Sequence, residues 1–144
     1  MDTLQIDRAL DKVPGFLGAF PFNELPDKPS SDFSVIVNTD AGPGDHWLAL
    51  VRMQDKIYFH DSYGRKPDNE LFTLEFIKSM KDYISGDCVS NTKLIQQLMS
   101  NVCGFHCIYF ILEIQKNSFD QVLSVFTKNL KKNDDIVVKY FNSL

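Results

Sequence analysis

Apolar residues recur along this chain in two rhythms, one helical and one alternating. Ile6, Ala9, Leu10 and Val13 fall at helical spacing behind the candidate caps Asp2 and Thr3, and Pro14-Gly15 ends the segment. Phe72, Phe76, Met80, Tyr83 and Ile84 form a second helical stripe closing near Gly86. Phe119, Val122, Leu123, Phe126 and Leu130 mark a helix capped by Ser118, and Ile136, Val137, Tyr140 and Phe141 mark a last one behind Asp134. Between them, residues 33–38, 47–53 and 57–63 are β-rich runs separated by Gly42-Pro43-Gly44 and by Gln54-Asp55, which predicts three adjacent antiparallel strands. Residues 93–97 predict a further short strand. Residues 16–31, with Pro21, Pro26 and Pro29, predict an ordered, non-repetitive loop. Cys103-Gly104 precedes an unbroken apolar run over 108–112, so a thiol stands at the start of a buried helix. The class expected is α+β, with helices on either side of a small antiparallel sheet.

At 144 residues the chain is sized for one domain, spanning 1–144. A composition of 44% hydrophobic and 24% charged residues is that of a folding globular protein rather than a disordered one. The net charge of −4 argues against a general polyanion binder, and Lys128, Lys131 and Lys132 read as a solvated helix end. Three cysteines, Cys88, Cys103 and Cys107, are a sparse, odd set with no apparent signal segment, which predicts a reducing compartment and no disulfide framework. No stretch approaches the ~18 apolar residues of a membrane span. We expect no membrane partner and a soluble, intracellular protein.

The candidate chemistry centres on Cys103. A helix N-terminus offers unpaired N–H groups and partial positive charge, which favour a thiolate and can hold an oxyanion. The base is offered by His46, in Gly44-Asp45-His46-Trp47, and the acid by Asp61, fifteen residues later. If Gln54-Asp55 is a two-residue hairpin loop, Met53 pairs with Lys56, Leu48 faces Asp61 and His46 faces Tyr63. His46 and Asp61 are then diagonal neighbours on one face, roughly 7–8 Å apart at the backbone, a gap long side chains bridge. A one-residue slip would separate them. His60 should point away by strand alternation. Cys107 lies beneath the thiol on the same helix side as packing, and Cys88 follows Gly86-Asp87 in a loop. Cys103, His106 and Cys107 are crowded into one helical turn without the paired spacing of structural zinc sites, so we expect no metal.

The ordered set Gly44-Asp45-His46-Trp47, Tyr58-Phe59-His60-Asp61-Ser62-Tyr63-Gly64 and Ile95-Gln96-Gln97-Leu98-Met99-Ser100-Asn101-Val102-Cys103-Gly104 resembles the adenovirus-type cysteine proteases, the adenains. It is most similar to the versions carried by virophages and Polinton (Maverick) elements, with the SUMO-specific proteases as more distant kin. The resemblance implies a papain-like fold whose site elements run His, acid, Cys in chain order. Carried over by position, His46 is the general base, Asp61 orients it and Cys103 is the nucleophile. The Cys103 N–H and a glutamine side chain would form the oxyanion hole. The adenain alignment selects Gln96 for that role, and the SUMO-protease spacing selects Gln97. Trp47 is implied as an aromatic wall of the substrate channel, or else as a large core residue.

The family cleaves after small residues, in Gly-Gly-like or Gly-X contexts, to mature capsid precursors. The resemblance therefore implies a cysteine endopeptidase acting on polypeptide, as a monomer, in the virion and the interior of the host cell. Adenovirus proteases are regulated by DNA and by a peptide disulfide-linked to a loop cysteine. The acidic balance here weakens the DNA expectation, and we carry over neither cofactor. Competing readings are an isopeptidase for a ubiquitin-like protein, a Cys-dependent acetyltransferase using acyl-CoA, and an inactive binding module on the same fold.

Overall fold

A computed structural model describes residues 1–40 and 46–144. The turn expected at Gly42-Pro43-Gly44, and Gly44-Asp45 of the His46 motif, lie outside the described residues. Five strands form one sheet in the order β1-β2-β3-β4-β5: β1 (Phe16–Pro21), β2 (Phe33–Asn38), β3 (Trp47–Met53), β4 (Lys56–His60) and β5 (Cys88–Ser90). The three central strands are antiparallel as expected. Both outer strands, however, run parallel to their neighbours, so the sheet is mixed rather than antiparallel.

The hairpin between β3 and β4 fixes the register of the site. Gln54 and Asp55 adopt φ values of 52° and 65°, the pair of left-handed residues that a two-residue turn matched to strand twist requires. Met53 consequently pairs with Lys56 and Ala49 with His60, the expected register. The ladder stops at His60, shorter than the predicted run to 63. Asp61 to Gly64 instead form a tight turn, closed by the Gly64 N–H on the Asp61 carbonyl at 2.8 Å.

Helices cover both faces. Against one pack α1 (Thr3–Leu10), α3 (Cys103–Ile114), α4 (Phe119–Leu123) and α5 (Leu130–Asn142), burying Ile6, Leu10, Ile108, Phe110, Ile111 and Val137 on Ile36, Ala49 and Val51. Against the other packs α2 (Leu74–Tyr83), burying Phe76 and Met80 on Val35, Val37, Leu48, Leu50 and Phe59. α1 opens with a capping box between Asp2 and Gln5, and α2 with Thr73 accepting from the Phe76 N–H. α3 is apolar nearly all round, as a helix buried in a core must be.

Five expectations are corrected. Residues 16–31 are not all loop: β1 occupies their first six positions, followed by a single 3-10 turn over Phe22–Glu24. A register shift between Phe16 and Ala19, with Gly18 at φ +126°, breaks the two-residue alternation that would have revealed the strand. Pro21 is tolerated because the strand is at the edge and ends there. Cys88 is in β5 rather than a loop. Residues 93–97 form no strand, because the N–H groups of Ile95 and Gln96 both bond to the Ser62 carbonyl, at 2.9 and 3.1 Å, instead of to a ladder. The helix predicted through Leu130 ends at Leu123. Asn133 turns its amide back on Thr127, accepting from its N–H at 2.9 Å and donating to its carbonyl at 2.7 Å, which holds the chain in a loop. α5 then begins one turn early, capped by Asn129 rather than lying behind Asp134.

Gly64 packs tightly against the backbone of Lys93 and Leu94. It has φ +76°, and a Cβ there would lie 2.6 Å from the Lys93 carbonyl carbon. Gly64→Ala is expected to cost at least about 2 kcal/mol, from the left-handed penalty plus the backbone conflict, read as a lower urea midpoint at unchanged slope.

Candidate active site

Cys103 is the first residue of α3, where the preceding Val102 supplies no side-chain cap, so the first helical N–H groups remain available. Its thiol is buried, at 6% exposure, and faces the start of β3. The Trp47 backbone N–H donates to Sγ at 3.4 Å. The His46 side chain also acts on the thiol, lowering it by hydrogen bonding and by charge. Since His46 Nε2 is turned to Asp61 Oδ1 at 2.6 Å, the ring nitrogen left for the thiol is Nδ1. Structure thus brings Cys103, His46 and Asp61 into one line of contacts, with Asp61 wholly buried.

Electrostatics favour an ion pair. Burial alone would raise the Cys103 thiol, but the His46 bond and charge, with the N–H groups of Trp47 and Gly104, bring it below the ordinary value. Burial alone would lower His46. The bonds to Asp61 and Cys103 and the charges of both overcome it and lift the ring to about 9. Asp61 is likewise opposed by burial, yet His46 and then Arg65 hold it down to about 2. All three shifts run in the direction of a thiolate and an imidazolium beside an ionised carboxylate.

The acid is held by its own turn and by the strand beside it. The Tyr63 N–H donates to Asp61 Oδ1 at 3.1 Å, and Arg65 Nε to Oδ2 at 2.6 Å. Asn91 Nδ2 donates to the Asp61 carbonyl and to the Lys93 carbonyl, each at 3.0 Å. The Tyr63 ring stacks on the His46 ring at 4.6 Å, 14° from parallel, although both residues lie beyond the ladder of β3 and β4, which stops at Ala49 and His60. Arg65, Asn91, Ser62 and the ring of Tyr63 were missed by sequence reasoning. Only Tyr63 had a signal there, through its pairing with His46.

Of the two glutamines, Gln96 is fully buried and Gln97 is exposed. Gln96 Oε1 accepts a short bond from Ser62 Oγ, and its Nε2 donates to the carbonyl and hydroxyl of Ser100, each at 3.1 Å. Trp47 is half-buried against the α3-side core, and it is its backbone that meets the thiol. His60 stacks on Phe110 at 4.3 Å, within the core. His106 donates or accepts through Nε2 with Asp134 Oδ1 at 2.9 Å, on the side of α3 facing α5. Cys107 is wholly in the core, where burial pushes its thiol well up. All three cysteines are free. Among the described residues no group of three or more His, Cys, Asp or Glu is placed to hold a metal ion, and no helix is long and apolar enough to cross a membrane.

No known family's sequence profile matches the chain, and no curated protein matches it. Among solved structures, AvrA in its delL154 form with IP6 and CoA matches with a TM-score of 0.50 and 13% identity, over 90% of this chain and 53% of that one. At that identity the likeness is one of fold, and this chain spans about half the length of that structure. The five-stranded sheet flanked by helices is an α+β arrangement compatible with the papain-like, adenain-type fold.

Two outcomes are expected. Alkylation of Cys103 should stay fast at pH 6, whereas an ordinary thiol slows ~10-fold per pH unit below its pKa and Cys107 stays unlabelled; mass spectrometry of labelled peptides reads both. Asp61→Asn should reduce turnover about 100-fold or more with the fold retained by circular dichroism, because an amide cannot stabilise the imidazolium.

Proposed function

We propose that the protein is a cysteine peptidase of the adenain type, with Cys103 as nucleophile, His46 as general base and acid, and Asp61 orienting His46. The observation that carries this reading is the contact line from Cys103 through His46 to a buried Asp61, with the thiol lowered and the imidazole raised. In the first step the Cys103 thiolate attacks the scissile carbonyl carbon and forms a C–S bond, placing negative charge on the carbonyl oxygen. The C–N bond then breaks as His46 Nδ1–H gives its proton to the leaving amine, and a thioester remains. Water attacks the thioester carbon as His46 takes its proton; the C–S bond then breaks, and the acid product leaves with the Cys103 thiolate and His46 imidazolium restored.

The oxyanion would be met by the Cys103 N–H at the uncapped start of α3 and by Gln96 Nε2. Gln96 Nε2 bonds to the carbonyl and hydroxyl of Ser100 in the resting protein, so it would share or release one of those contacts when the oxyanion forms. Burial favours Gln96 over Gln97 for this role. Trp47, whose backbone touches the thiol, would wall the channel beside the acyl group.

Substrate class follows the sequence resemblance: polypeptides cleaved after a small residue, Gly-Gly-like or Gly-X, with capsid precursors as the natural target in the virion or the host cell. The enzyme would act as a monomer without a cofactor. A second reading uses the same thiol for acyl transfer from acyl-CoA. It is favoured by the fold likeness to AvrA, whose solved structure contains CoA, and it shares the first covalent step.

Cleavage profiling on a mixed peptide library rich in Gly-Gly and Gly-X sites, with Cys103→Ala alongside, separates the two. The peptidase reading expects cuts after glycine that vanish in Cys103→Ala. A Cys103 acetyl adduct formed with acetyl-CoA, with no peptide cleaved, would establish the acyl-transfer reading instead. Gln96→Ala should lower kcat by roughly 10²–10³-fold with a smaller change in KM, as loss of one oxyanion donor does.

A further inference from the structure

The acyl chemistry above leaves Arg65 without a part, although it makes the second short contact to the buried acid. Its Nε bond to Asp61 Oδ2, at 2.6 Å, matches the His46 bond to Oδ1 in length. The guanidinium lies 4.3 Å from the Phe72 ring centroid and 5.4 Å from that of Tyr63, the ring that stacks on His46. The side chain is only 20% exposed. Drawing an arginine this far out of water is costly unless its charge is matched, and here the match is the carboxylate that orients the base.

A charge count gives the consequence. In the ion-paired state the cluster holds Cys103 and Asp61 as anions and His46 and Arg65 as cations, which sums to zero. Without the arginine the same buried cluster carries one net negative charge. We infer that Arg65 is a positioning residue for the reaction: it locks the Asp61 carboxylate that aims His46, and its charge sustains the Cys103 thiolate. The inference rests on the thiolate–imidazolium reading of the site.

Among the described residues, the titratable side chains packed around the cluster from the neighbouring elements do not supply that charge. From β4, His60 is pushed down to about 3, by burial and then by the charges of His106 and His46. On α3, burial lowers His106 and raises Cys107. Within the Asp61 turn, burial raises Tyr63. On α5, the Asp134 carboxylate is held by His106 and adds no cation. Among the described residues, Arg65 is the permanent cation bonded to the cluster.

The test is the pH profile of Cys103 alkylation by iodoacetamide in the full chain, read by mass spectrometry, for the unaltered protein and three variants. Arg65→Gln should move the acid limb up by about one unit, a ~10-fold slower reaction at a fixed pH on the limb. Arg65→Met, which keeps bulk over Phe72 without charge, should move it equally. Arg65→Lys, which keeps charge without the planar fork, should recover part of the shift. An unmoved limb in folded neutral variants overturns the inference. If both neutral variants unfold, Arg65→Lys decides: a limb moved by a full unit despite the retained charge overturns the inference as well. A limb in the ordinary thiol range for the unaltered protein is a different failure, that of the ion-pair reading itself, and the two are told apart in the same experiment.

Discussion

A carboxylate sealed from water must have its oxygens bonded or lose its charge, and the site is organised around meeting that demand at Asp61. Its side chain is wholly buried, yet Oδ1 accepts from His46 and from the Tyr63 N–H while Oδ2 accepts from Arg65. Each partner comes from a different local feature: the start of β3, the tight turn after β4, and the residue just past Gly64. The turn can be tight because Gly64 takes a left-handed φ and lets the 93–97 segment press against it. That segment is in turn fixed to Ser62 through the backbone of Ile95 and Gln96 and through the Gln96 side chain. The acid and the candidate oxyanion donor are therefore held by adjacent residues of a single turn.

The rest of the molecule sets the distance between this turn and the thiol. The hairpin at Gln54-Asp55 fixes β3 against β4, and α3 lies across β3 with Phe110 and Ile111 in the core and Cys103 at its open end. A thiol at that position receives the Gly104 and Trp47 N–H groups as well as His46, so the thiolate is favoured from three directions. Cys107, one turn along the same helix, receives none of them and is inert by burial. The contrast between two cysteines four residues apart is the effect of helix position and polar neighbours, not of residue type.

Much of this was legible in the sequence because it is written in short-range signals. β2 is centred on the β-branched run Val35-Ile36-Val37 and β3 opens on the apolar run from Trp47 to Val51, the Gln54-Asp55 turn counts out the register, and the apolar α3 announces its burial. His46, Asp61 and Cys103 could be aligned from that register and from the adenain resemblance. What was not legible depended on interruptions or on long-range side-chain bonds. The shift around Gly18 hid β1, three residues were too few to mark β5, and Ser62 took the N–H groups that a strand at 93–97 would have needed. Asn133 folding back on Thr127 divided one predicted helix into two. No sequence pattern singles out Arg65; only the fold places it on the buried oxygen of Asp61 and over Phe72.

The proposed mechanism requires His46 to be a cation paired with the Cys103 thiolate at neutral pH. Nuclear magnetic resonance titration of the His46 ring, in the intact chain and in Cys103→Ala, reads that pairing. The pair gives an imidazolium that persists through neutral pH and titrates near 9, and that loses its proton at lower pH once the thiolate is removed. A His46 ring that titrates in the ordinary range and is indifferent to Cys103→Ala rules the pair out.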